Sequence, residues 1–116
     1  MEEGSGVRMT DFGVSTTVEN GRAVVAVAGE CDLASREELA SALLAAVERA
    51  PVVVVDVAAL RFLDSSGLHG LVSAHRAAQD RGGRVYLVNA GGPVASVLDL
   101  TGVGELLRPP VEWPHD

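Results

Sequence analysis

The spacing of apolar residues changes repeatedly along this 116-residue chain, and each change marks an element. Val14 to Glu19 and Arg22 to Ala28 are strand-like runs rich in β-branched residues. Asn20-Gly21 between them predicts a hairpin, because a type I′ turn needs positive φ at both central positions. Gly29 is expected to end the second strand. Ser35 and Glu38 stand at capping-box spacing. Leu39, Leu43, Ala46 and Val47 then recur at helical spacing, opposite Arg36, Glu37, Glu48 and Arg49. Pro51 closes that helix. Val52 to Val55 is an unbroken β-branched run ending in Asp56, the pattern of a central strand covered on both faces.

From near Ser66 the period becomes helical again, through Leu68, Leu71, Val72 and His75. Gly67 and Gly70 are expected to allow this helix close to the sheet, and Arg81-Gly82-Gly83 to end it. Arg84 to Asn89 reads as a strand. Pro93 suits the first turn of a last helix through Leu100, stopped by Gly102. Leu106 and Leu107 are left to form a short edge strand or to pack the helix end.

The order is β-β-α-β-α-β-α, which predicts an α/β single domain: a mixed β-sheet with packed helices and right-handed crossovers. Its length allows one core and one domain. The domain is expected over residues 13–108. Residues 1–12 read as a polar N-terminal tail, and residues 109–116 as a Pro-rich C-terminal tail whose Trp113 is suited to a contact.

Composition narrows the function. Hydrophobic residues make up 47% and aromatic residues only 3%, so the core must be built from Val, Leu and Ala. The net charge is −7, every basic residue is Arg, and no basic run occurs. Direct nucleic-acid binding is therefore excluded, since contacts to phosphate supply most of that affinity. One cysteine makes no internal disulfide, and no signal peptide or bilayer-length apolar stretch is seen, so a cytoplasmic protein without membrane insertion is expected. Three scattered His and one Cys give no metal spacing, and no cofactor motif occurs.

The candidate chemistry lies in Arg61-Phe62-Leu63-Asp64-Ser65-Ser66-Gly67-Leu68, between a strand and a helix. Asp64 and Ser65 are both good N-cap residues. A serine hydroxyl in a first helical turn is presented outward, and the turn's N–H groups and dipole favour negative charge placed on it. Asp32 and Glu30 follow the end of an earlier strand, where α/β sheets carry functional groups, and Asp32 is equally suited to capping the helix that follows. Asp56 is suited to bonding the next loop's backbone. His69 falls one turn after Ser66, but the Gly-x-Ser-x-Gly elbow, an orienting acid and an oxyanion loop are missing, so no hydrolase is indicated. His69 is expected in solvent, His75 partly buried with its bonds satisfied, and Cys31 as a small hydrophobe at a strand end. Gly91-Gly92-Pro93 lacks a Walker lysine and reads as a turn.

These segments together resemble the STAS-domain family of anti-sigma factor antagonists. The resemblance is carried by Gly29-Glu30-Cys31-Asp32, by Val52 to Asp56, and by the loop Phe62 to Leu68. Gly82-Gly83-Arg84-Val85 and Leu100-Thr101-Gly102-Val103 extend it to roughly residues 13–108. Cys31 departs from the usual aliphatic residue, and His69 from the usual small one. The resemblance implies a non-enzymatic switch that binds an anti-sigma factor serine kinase and so frees a sigma factor. It implies Ser66 as the phosphoacceptor, reset by a serine phosphatase, with Asp64, Ser65, Gly67, Asp32 and Glu30 as neighbours on the partner surface. The same fold also serves as a docking subunit of membrane-associated transporter complexes, which is the alternative reading.

Overall fold

The protein is described by a computed structural model covering residues 12–110. Both expected tails fall largely outside that range, Trp113 included. The elements run β1 (Phe12–Glu19), β2 (Arg22–Cys31), α1 (Arg36–Arg49), β3 (Val52–Leu63), α2 (Ser65–Asp80), β4 (Arg84–Val88), α3 (Gly92–Thr101) and α4 (Val103–Leu106). They build a four-stranded mixed sheet in the order β1-β2-β3-β4. The β1–β2 pair is antiparallel, and β3 and β4 follow in parallel. The α/β single domain expected from the alternating pattern is what forms, with the short α4 added beyond it.

Asn20 and Gly21 take φ of 56° and 76°, so both hairpin positions are left-handed, as a type I′ turn requires. Gly29 does not end β2. It adopts φ 92° at a register shift between Gly29 and Glu30, and the strand continues to Cys31. A bulge absorbs the extra residue, so pairing resumes instead of stopping. Likewise β3 runs on past Asp56 to Leu63, because its second half still has β2 to pair with.

Val53 lies between Ala23 and Val85, and Val55 between Val25 and Leu87. All six are buried and form one layer of the core. Two right-handed crossovers advancing in one direction across a sheet put their helices on the same face. Accordingly α1 and α2 pack against one another. The first contributes Leu39, Leu43, Ala46 and Val47, and the second Leu68, Leu71, Ala74 and Ala78, to a single cluster. The two-sided cover expected of Val52 to Val55 is seen in the buried Val53, Val54 and Val55, and it does not extend along the later half of β3. Ala58 and Ala59 are exposed and line an open groove with Ala26 and Ala28.

At the far end Gly102 stops α3 in the left-handed conformation, φ 80°. Leu107 is fully buried, and its carbonyl accepts from the N–H of Leu87 at 2.9 Å. It thus both packs the end of the helices and pairs with the edge of the sheet. Among the described residues no helix is long and apolar enough to cross a membrane.

Candidate functional site

The ends of β2 and β3 lie side by side, with Glu30 opposite Phe62 and Cys31 opposite Leu63. The backbone then turns at once into α2. Asp64 is its N-cap, in an extended conformation, φ −101° and ψ −174°. Its Oδ1 accepts from the N–H of Ser66 at 3.0 Å and of Gly67 at 3.2 Å. Two donors of the first turn are therefore already satisfied within the chain. Ser65 is exposed and Ser66 half-buried, in the first turn beyond the cap.

Gly67 allows the close approach expected of it. A Cβ there would collide with Leu63 Cδ1 and stand 3.0 Å from the sulfur of Cys31. Gly70 was expected to serve the same purpose and does not, since a Cβ there would meet nothing within 4 Å.

On the neighbouring loop, Asp32 Oδ1 accepts from the N–H of Ala34 at 3.0 Å and from the hydroxyl of Ser35 at 3.3 Å. That hydroxyl also donates to the carbonyl of Glu30 at 3.3 Å. The expected capping box between Ser35 and Glu38 does not form: Ser35 sits in a helical conformation and its side chain caps nothing. It is turned back to pin the loop to the end of β2. Glu30 pairs with Arg61 at 3.8 Å, both side chains about half exposed. In water such a pair contributes little to stability.

Cys31 lies beneath both loops, fully buried. Burial pushes its thiol up to about 11, with the Asp64 and Asp32 carboxylates adding to the effect. A thiol so disfavoured as thiolate is inert packing, as its sequence position suggested.

Ser66 itself opens on a cleft of about 510 Å³ between the starts of α1 and α2, lined by Arg36, Glu37, Ala40, Ser65, Ser66, His69 and Gly70. Asp32 and Glu30 do not line this cleft; they flank it through the β2 end. Sequence reasoning placed Arg36 only on the polar face of α1. One signal was available, a cation in the first turn of a helix, where it opposes the dipole. Two apolar side chains are open to solvent beside the site: Leu33 is 64% exposed and Phe62, within the motif itself, 46% exposed, on the loop and the strand that frame it.

His69 is exposed on the cleft wall, as expected. His75 departs from expectation. It is buried, and its Nδ1 has no hydrogen-bond partner among the described residues. Burial, and behind it the charge of Arg84, lower its pKa from the ordinary histidine value. Among the described residues no group of three or more His, Cys, Asp or Glu is placed to hold a metal ion.

A four-stranded sheet with an Asp-capped, serine-bearing helix start beside the end of its second strand defines a class. A family model described as "Mlab, STAS domain" matches residues 14–109, and the chain belongs to the STAS-domain family. Its fold is that of anti-sigma factor antagonists. An anti-sigma factor antagonist from Mycobacterium paratuberculosis is 28% identical with a TM-score of 0.75, over 88% of this chain and 89% of that one. A STAS-domain antisigma-factor antagonist from Rhodobacter sphaeroides is 26% identical with a TM-score of 0.56, over 67% of this chain and 86% of that one. The unphosphorylated form of the anti-sigma factor antagonist SpoIIAA shares the fold at 24% identity and a TM-score of 0.70, over 82% and 84%. No curated protein sequence matches the chain.

Proposed function

We propose that this chain is a phosphorylation-switched anti-sigma factor antagonist, with Ser66 as the phosphoacceptor. In its unphosphorylated form it binds an anti-sigma factor that is itself a serine kinase, in the cytoplasm, and thereby frees a sigma factor. Phosphorylation of Ser66 releases the kinase, and a serine phosphatase resets the switch. The chain carries no chemistry of its own in this scheme, and any nucleotide belongs to the kinase. The working unit is the domain of residues 13–108.

The observation that carries this reading is the placement of Ser66. The residue is half-buried in the first turn of α2 and lines a cleft open to solvent. A phosphate adds about −1.5 to −2 charge there. The Asp64, Asp32 and Glu30 carboxylates lie on the same end of the sheet, so the surface becomes strongly anionic without any need to refold. Exposed Leu33 and Phe62 supply apolar contact for a partner on the same end.

The test is labelling by the kinase that co-purifies with the protein from its native cells. Ser66→Ala should take up no label while still binding that kinase, and Ser66→Asp should lose binding while melting near the parent temperature. Full labelling of Ser66→Ala would move the acceptor to Ser65 or elsewhere. Recovery of a transporter ATPase in place of a kinase would replace this reading with that of a docking subunit.

A further inference from the structure

The phosphate that the proposed switch places on Ser66 enters a site whose nearest donors are taken. Asp64 already occupies the N–H groups of Ser66 and Gly67. Asp64 thus brings a carboxylate to the first turn of α2, and Glu37 brings another to the wall of the cleft. The helix start alone therefore offers the dianion less than a bare first turn would. Compensating charge has to come from across the cleft.

Arg36 stands there. It occupies the first position of α1 and lines the cleft with Ser65, Ser66 and His69. Its guanidinium makes no hydrogen bond or ion pair among the described residues, whereas Arg61 nearby is engaged by Glu30. The position is adverse for the helix itself. Glu37 and Glu38 in the same turn complement the dipole, and a cation beside them opposes it. Nor does α1 offer Arg36 an acidic partner one turn on, where Leu39 and Ala40 stand. Stability of α1 thus gives no reason for an arginine here, and the cleft does.

We propose that Arg36 is the positioning residue for phosphorylated Ser66, closing across the cleft to hold the phosphate as a charge-assisted, bidentate pair. An arginine fork suits phosphate oxygens in this way. The pairing has a second consequence: it neutralises the Arg36 cation on the partner-facing surface at the moment the phosphate adds negative charge. The release signal then combines two local changes. Glu37, on the same cleft wall, opposes the phosphate and sharpens the dependence on Arg36.

This inference rests on the reading of Ser66 as the acceptor, and its test is independent of any kinase. Phosphoserine is installed at position 66 of the full chain by genetic encoding, and its second ionisation is followed by phosphorus NMR. In the parent protein the ionisation should lie roughly 0.3–1 unit below that of Arg36→Gln, the sign expected when a cation favours the dianion. Arg36→Lys should recover part of the gap, Arg49→Gln at the far end of α1 should leave it unchanged, and 1 M salt should narrow it. Equal ionisation in the parent and a folded Arg36→Gln overturns the proposal, as does an equal shift from Arg49→Gln. Failure of Ser66 to be labelled in native cells would instead sink the functional reading while leaving this measurement meaningful.

Discussion

The backbone N–H of Asp64 donates to the carbonyl of Cys31 at 3.2 Å. Through this bond the start of α2 is tied to the last residue of β2, across the parallel pairing of β2 with β3. The loop that presents Ser66 and the loop that carries Asp32 are therefore held to one another by backbone, not only by side chains. They form one structural unit at this end of the sheet.

Asp64 is the hinge of this arrangement and is expected to matter for stability. Asp64→Ala strips the acceptor from two N–H groups of the first turn and should cost about 0.5–2 kcal/mol. Asp64→Asn, which keeps an acceptor oxygen, should cost a few tenths of that range. Urea unfolding of the three proteins measures this. Equal stability of the Ala variant and the parent would mean that water replaces the cap without loss.

Gly67 and Gly70 make an internal comparison on one helix. Gly67→Ala drives a methyl into Leu63 and Cys31 and should destabilise by roughly 1–3 kcal/mol. Gly70→Ala meets open space and should instead stabilise α2 by up to about 1 kcal/mol. Melting curves that ranked the two substitutions the other way round would contradict the packing of α2 on the sheet.

Asp32 separates a structural from an interfacial role. Its Oδ1 holds the turn through Ala34 and Ser35, so Asp32→Ala should lose about 0.5–2 kcal/mol while Asp32→Asn keeps most of that. If Asp32 also belongs to the partner surface, the Asn variant should bind the kinase more weakly or be phosphorylated more slowly. Normal binding and phosphorylation of Asp32→Asn would confine the residue to the turn.

His75 sets a pH dependence whose sign follows from its burial. Its pKa in the folded protein is lowered below the unfolded value, so the unfolded chain takes up the proton first as pH falls. Stability should thus decline on the acid side of about pH 6.5 and be complete above it. His75→Leu removes this proton uptake and an unpartnered buried nitrogen together, so it should be neutral or stabilising at pH 7 and show a shallower loss between pH 7 and pH 5. Unfolding midpoints across that window report the slopes, and identical slopes in the two proteins would dismiss His75 as the source.

Residue by residue, the sequence determined what depends on a few neighbours along the chain. Asn20-Gly21 specified its turn because few other residues accept two left-handed conformations in succession. The stripe Leu39, Leu43, Ala46, Val47 specified the buried face of α1, and Gly102 its stop for α3, for similarly local reasons. The Asp64-Ser65-Ser66-Gly67 string was legible as a helix start bearing a serine. Tertiary structure alone decided the rest. Continuation of β2 through Gly29, and of β3 through Ala58 and Ala59 to Leu63, depends on each strand finding the other, and a bulge leaves no periodic trace. The hydroxyl of Ser35, expected to cap α1, is drawn instead to the Glu30 carbonyl and the Asp32 carboxylate, which the end of β2 places beside it. Whether His75 finds a partner is likewise settled by what packs around it. Arg36 and Ser66 face one cleft because α1 and α2 cross on the same face of the sheet with their starts together. That juxtaposition belongs to the handedness of two crossovers and the register of three strands, which no single stretch of sequence contains.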